Sequence, residues 1–232
     1  MATFCLLHSS VQGPSCWDGL VRALEVEGHQ AVTPDLGDVS PDALAIAYAK
    51  EAAEAIKCDV PPSETSLWVL AHSASGMFLP WIPREIEDLP LCGIIYLAAY
   101  VPSPGYSLLG TFHADSSMFN PNWIGADPLD DATASKLLFH DCPNSELSRA
   151  LSTRRLMVAK AAMSEVFPAG IRCPRTEYIV CAQDRTLTPA WMRRAAQDRL
   201  GVTAIEIDSG HCPQTSKPMM LADILSGLAD SS

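Results

Sequence analysis

The chain has 232 residues, 48% of them hydrophobic, with a formal net charge of −11 and an isoelectric point near 4.8. That is enough apolar material for a sizeable core in one α/β domain, and it argues against disorder. Without a basic patch the chain has nothing to hold nucleic acid or an anionic membrane, and no stretch reaches the roughly 18 apolar residues of a membrane helix.

Taken in order, apolar runs alternate with helical patterns. The first residues have no basic or long apolar leader and read as a strand over 3–8. A helix over 15–27 follows, with Trp17, Leu20, Val21 and Leu24 as its apolar positions, then a strand at 30–34 and an Ala-rich helix at 41–57. The run Ser66-Leu67-Trp68-Val69-Leu70-Ala71 is a third strand, leading to a helix interrupted early by Pro80 and Pro83 and to a strand at 92–99. After an irregular segment come strand 177–182, helix 189–199, strand 203–207 and a last helix near 216–229. This alternation predicts βαβ units and a parallel sheet covered on both faces.

Residues 100–172 interrupt the pattern. They lack a clear strand, place Met118, Phe119, Trp123 and Ile124 among polar residues, and contain a helical pattern over 145–164. An insertion after a sheet strand, on the side where α/β active sites lie, is expected to be a lid over the pocket. The eight cysteines are scattered singly with no C-x-x-C. Cys5, Cys92 and Cys181 fall in apolar runs and read as buried small hydrophobes, and the whole as a reduced, cytoplasmic protein.

The polar knot Ala71-His72-Ser73-Ala74-Ser75-Gly76 stands between a strand and a helix start. It approximates G-x-S-x-G, with small residues in place of the two glycines, and so marks Ser73 as a nucleophile on a sharp turn. Such a Ser needs a general base, and the base an acid that fixes its tautomer. Downstream, Asp184 follows strand 177–182 and His211 follows strand 203–207. Three residues of the right types, in the order Ser, acid, His and each just past a strand, are more specific together than any one alone. Asp208 is the rival acid, and His72 is expected to pack beneath the turn. The Ala74 amide and one from the loop after the first strand, assigned to Ser9, are the candidate oxyanion donors. Ser10, Phe119, Trp123, Leu138, Phe139 and Cys212 are the candidate pocket residues. The chemistry needs no cofactor, and no metal-ligand spacing is present.

With these residues in place the chain resembles the α/β-hydrolase superfamily over nearly its whole length. More narrowly it resembles the branch of EstC-like esterases, plant methylesterases and hydroxynitrile lyases. The resemblance rests on Leu6-Leu7-His8 with Gly13 and Trp17, on the Ser73 knot, on Ala98 through Gly105, on Phe139-His140-Asp141-Cys142-Pro143, and on Gly210-His211 through Lys217-Pro218. It implies one domain of core 1–99 and 173–232, a mostly parallel sheet of about six strands with helices on both faces, and a helical lid at about 100–172. It also implies a triad of Ser73, Asp184 and His211, with Ser9 and Ala74 lining the oxyanion hole.

Two departures bear on function. Esterases of this branch carry Gly where this chain has Ser9, while the lyases carry a hydroxyl residue there. The lyases follow the catalytic His with a Lys, and here that position is Cys212. The expectation is a serine hydrolase for an ester or lactone of a small, largely apolar acid, working as a monomer or homodimer. The alternatives are a lyase or cyclase using the same Ser and His as acid and base, and a small-molecule binding protein with a relict triad.

Overall fold

The computed structural model describes residues 1–60, 66–171 and 173–231. Its sheet has six strands: β1 (Thr3–Leu7), β2 (Gln30–Val32), β3 (Leu67–His72), β4 (Leu91–Leu97), β5 (Thr176–Cys181) and β6 (Ile205–Ile207). Their order is β2-β1-β3-β4-β5-β6, and every neighbouring pair is parallel. β1 and β3 are buried along their whole length, as apolar strands covered on both faces must be. Parallel alignment brings the carboxyl ends of β1, β3, β5 and β6 to one edge, so the loops that begin at His8, Ser73, Ala182 and Asp208 share that edge.

The α-helices among the described residues are α1 (Asp18–Val26), α2 (Ala45–Asp59), α3 (Ile82–Glu85), α4 (Leu108–Ala114), α5 (Asp131–Leu137), α6 (Asn144–Ser152), α7 (Lys160–Ser164), α8 (Pro189–Ala195), α9 (Pro213–Ser216) and α10 (Pro218–Asp230). None is long and apolar enough to cross a membrane. α1 buries the stripe Leu20, Ala23 and Leu24 and packs on α10, while α2 packs on α3. Tyr48 of α2 stacks on Phe78 just past the Ser73 turn, ring centroids 4.5 Å apart. Burying such rings contributes about 1.5–3 kcal/mol each, and here it seats the turn against the core.

Several boundaries differ from expectation, each for a local reason. The helix expected from residue 15 opens as a 3₁₀ turn over Pro14–Trp17. The helix after β3 is broken into two short 3₁₀ turns and α3, because Pro80 and Pro83 each remove an amide donor. The strand expected at 203–207 is only Ile205–Ile207, since the preceding helix runs on to Leu200 and ends at Gly201, whose φ of 70° suits a residue without Cβ. Cys92 is half-buried, not enclosed like Cys5 and Cys181.

The largest difference lies between β4 and β5. The helix expected over 145–164 is two helices, α6 and α7. The stretch between them is extended because its backbone has other partners. Gly13 donates to Thr153 O (3.0 Å), Arg155 to Val11 O (3.2 Å) and Met157 to Ser10 O (2.8 Å). The insertion thus pairs with the loop after β1. The lid boundary at 172 and the last residue, 232, lie outside the described residues.

Candidate active site

Ser73 has φ of 60°, one of two non-glycine residues with positive φ among those described. A left-handed Ser costs about 1–3 kcal/mol unless its surroundings hold it there. Three features hold it. Its carbonyl accepts the Tyr100 amide at 3.0 Å. The buried Ser75 hydroxyl donates to the His8 carbonyl at 2.5 Å, tying the turn to the loop after β1. Gly76 lies so close to the segment that follows β4 that a Cβ there would sit 2.1 Å from Tyr100 O. The approximate motif therefore works: Ala71 is small enough to be buried in the strand, and the hydroxyl of Ser75 has a partner.

The turn brings Ser73, Asp184 and His211 together. His211 Nδ1 is 2.6 Å from Asp184 Oδ2, and its Nε2 is 3.1 Å from Ser73 Oγ. A carboxylate only accepts, so Nδ1 carries the hydrogen and Nε2 offers its lone pair to the Ser73 hydroxyl. The His and Asp side chains are 2% and 0% exposed, which keeps water from competing for that bond. Asp208 is exposed and accepts from Gln183 Nε2 instead.

His72 packs beneath the turn, fully buried, with Nε2 2.8 Å from the carbonyl of His211. Burial, and next the nearby His211, hold its pKa well below the usual imidazole value. It is therefore neutral and donates through Nε2, while Gln214 Nε2 lies 3.4 Å from its Nδ1. It is a fixed prop for the His211 backbone, not a base.

Thr186, two residues past Asp184, completes the group. Its amide (2.6 Å) and hydroxyl (2.9 Å) both donate to Asp184 Oδ1, and its Oγ1 is 2.7 Å from His211 Nδ1. The carboxylate is thereby fully engaged. A hydrogen bond to a charged group contributes about 1.5–3 kcal/mol. Thr186→Val is accordingly expected to lower kcat by about tenfold with KM little changed, and Thr186→Ser to retain it; steady-state kinetics of the pair checks this. The Asp-Arg-Thr spacing, an Asp accepting from the amide two residues on, is the signal that marks this residue.

Ser73, Ala74, Thr186 and His211 line a cavity of about 320 Å³. Its remaining walls are Tyr100, Ser10 and Val11, the α4 face Leu108, Leu109 and Phe112, and Met118, Phe119, Trp123, Ile124, Gly125, Met163 and Leu187. No Asp, Glu, Lys or Arg is among them. Of the expected pocket residues, Ser10, Phe119 and Trp123 are there. Leu138, Phe139 and Cys212 are not: they pack with Ala134 and Ala150 in a separate buried cluster where the insertion meets the His211 loop. Cys212, its thiol pKa raised by burial, points Sγ at Gln12 Oε1.

Ser9, expected to supply the second oxyanion amide, is not on the cavity wall. Ser9 is fully buried off the cavity, its hydroxyl accepting from the Val11 amide at 3.3 Å. Ser10 is the residue on the wall, and its carbonyl is turned away to Met157. Ser10 and Ala74 both line the cavity, and Ala74 stands in a first helical turn, where amides have no partner within the helix.

A sequence profile of the Alpha/beta hydrolase family matches residues 6–224. The chain is an α/β-hydrolase. A pyrethroid hydrolase of Sphingobium wenxiniae is 22% identical over 97% of this chain and 87% of its own. Methylesterase 2 of Arabidopsis thaliana is likewise 22% identical, over 98% and 96%. Among solved structures, polyneuridine aldehyde esterase superposes with a TM-score of 0.79 at 19% identity, covering 99% of this chain and all of that one. Ester hydrolases are thus among the relatives of this α/β-hydrolase.

The wall residues of this α/β-hydrolase that sequence reasoning missed are those of α4 and its surroundings. Ser107 accepts from the Gly110 amide as the N-cap of α4, so Ser-Leu-Leu-Gly-Thr-Phe carried a helix-start signal with an apolar face. Tyr100 and Leu187 had no such signal.

Proposed function

We propose that this chain is a cofactor-independent serine hydrolase acting on neutral esters or lactones of small, largely apolar acids. The supporting observation is the Ser73–His211–Asp184 chain of contacts opening onto a cavity with no Asp, Glu, Lys or Arg among the described residues of its wall. In this reading His211 takes the Ser73 proton as Oγ attacks the carbonyl, and the Ser10 and Ala74 amides hold the oxyanion. His211 then protonates the leaving alcohol. Water, deprotonated by the same imidazole, releases the acid from the acyl-enzyme. Asp184, fastened by Thr186, holds His211 in the Nδ1–H tautomer and stabilises the imidazolium. The insertion acts as the lid, contributing α4 and the Met118–Gly125 stretch to the roof.

The cavity is at the small end of the roughly 300–1,000 Å³ of ligand pockets, which favours compact acyl groups. A free carboxylate on the substrate would be buried among apolar walls without a partner, a costly arrangement. The lyase or cyclase alternative drew on the Ser9 hydroxyl, which is buried off the cavity, and this geometry gives it no support.

The test is intact-mass analysis after fluorophosphonate treatment, with turnover of p-nitrophenyl butyrate and of a p-nitrophenyl ester bearing a free carboxylate. One adduct per chain, absent in Ser73→Ala, with the neutral ester preferred by about 10²-fold, is expected. A labelled enzyme that turns over no ester would move the lyase or cyclase reading to first place. A folded chain with neither signal would leave the binding-protein reading.

A further inference from the structure

The segment Phe139-His140-Asp141-Cys142-Pro143 lies outside the cavity wall, yet it touches both catalytic loops. His140 Nε2 donates to the carbonyl of Gln183 at 3.0 Å, one residue before Asp184. Asp141 Oδ2 accepts from the amide of Gly210 at 2.7 Å, one residue before His211, and from the Ser216 hydroxyl at 2.8 Å. The approach is close: a Cβ on Gly210 would lie 2.6 Å from Asp141 Oδ1 and 2.7 Å from His140 Nε2. Phe139 and Cys142 provide the apolar packing of this segment, so the polar pair is not needed for that. Asp141 Oδ1 is also buried and receives no donor among the described residues.

We propose that His140 and Asp141 are positioning residues, a clasp by which the insertion sets the placement of Asp184 against His211. This rests on the serine-hydrolase reading given above. The two residues act through the backbone of Gln183 and Gly210 and touch no substrate. Because the insertion also pairs through Thr153, Arg155 and Met157 with the Ser10 loop, all three loops around Ser73 rest on it.

The experiment compares Asp141→Ala, Asp141→Asn, His140→Ala and His140→Gln with the wild type. It reads kcat and KM for p-nitrophenyl butyrate, the fluorophosphonate labelling rate, and amide hydrogen exchange over residues 208–216. Asp141→Ala is expected to lower kcat and labelling together by about 10²-fold, the effect of a displacement of about 1 Å, with KM within about twofold. Asp141→Asn keeps an acceptor oxygen for Gly210, and His140→Gln keeps a donor for Gln183, so both should recover most of the loss. Exchange should quicken in Asp141→Ala and not in Asp141→Asn. Wild-type kcat and exchange in Asp141→Ala would overturn the clasp, as would equal loss in Asp141→Asn. Should Asp141→Ala not fold, the His140 pair decides by the same readouts. Should the wild type neither label nor turn over, the hydrolase reading falls while the exchange data still judge the clasp.

Discussion

Asp184→Asn is expected to leave the fold intact and to lower kcat by about 10⁴-fold. The size follows from the way Thr186 holds the carboxylate. Oδ1 receives two donors, the amide and the hydroxyl of Thr186, at 2.6 and 2.9 Å. An Asn side chain must keep its oxygen there, since its NH₂ would face the Thr186 amide donor to donor. The NH₂ is then forced into the place of Oδ2, 2.6 Å from His211 Nδ1. A donor at that point makes Nδ1 an acceptor, the proton moves to Nε2, and Nε2 no longer accepts from Ser73. The base is lost with no atom displaced. Circular dichroism and the thermal midpoint should match the wild type while kcat collapses, and Asp208→Asn should remain within about twofold because Asp208 is exposed and faces Gln183. A loss under tenfold in Asp184→Asn, or a collapse in Asp208→Asn, would assign the acid elsewhere.

The parts of this site legible in the sequence are those that strand ends dictate. Ser73, Asp184 and His211 each follow an apolar run, and a parallel sheet carries all such ends to one edge whatever the loops do. The cavity wall was not legible for a complementary reason. Phe119 and Phe139 both stand in the insertion, and nothing in their spacing distinguishes the one that faces Ser73 from the one that packs on Ala134 and Ala150. That choice is made by tertiary packing. The same is true of residues 153–157, whose helical propensity is overridden by backbone bonds to the Ser10 loop. The exchange of Ser9 for Ser10 is finer still. Neighbouring residues in a tight loop face opposite ways, and which of the two reaches the cavity is set by how the loop packs, with Ser9 buried and Ser10 on the wall.

Gly76→Ala is expected to destabilise the chain by about 3 kcal/mol, the upper part of the range for overpacking, and to disable the site as well. The added methyl would start 2.1 Å from the carbonyl oxygen of Tyr100 and 3.1 Å from Ala99 Cβ. Carbon and oxygen come no closer than about 3.3 Å in ordinary contacts, so one backbone must retreat by roughly 1 Å. The β4 side is poorly placed to do so. Ala98 already has φ of 43°, and the Ala99 carbonyl and amide are both bonded to the buried Tyr178 hydroxyl, at 2.6 and 3.1 Å. The movement therefore falls on the Ser73 turn, whose carbonyl is fastened to the same Tyr100 residue at 3.0 Å. A shift of about 1 Å at the nucleophile suffices for a loss of about 10²-fold in kcat/KM, in addition to the stability change. Urea unfolding and kcat/KM of the purified variant measure the two effects separately. If Gly76→Ala kept wild-type activity and lost less than about 1 kcal/mol, the close approach of the turn to the segment after β4 would not be what holds Ser73 in its left-handed conformation.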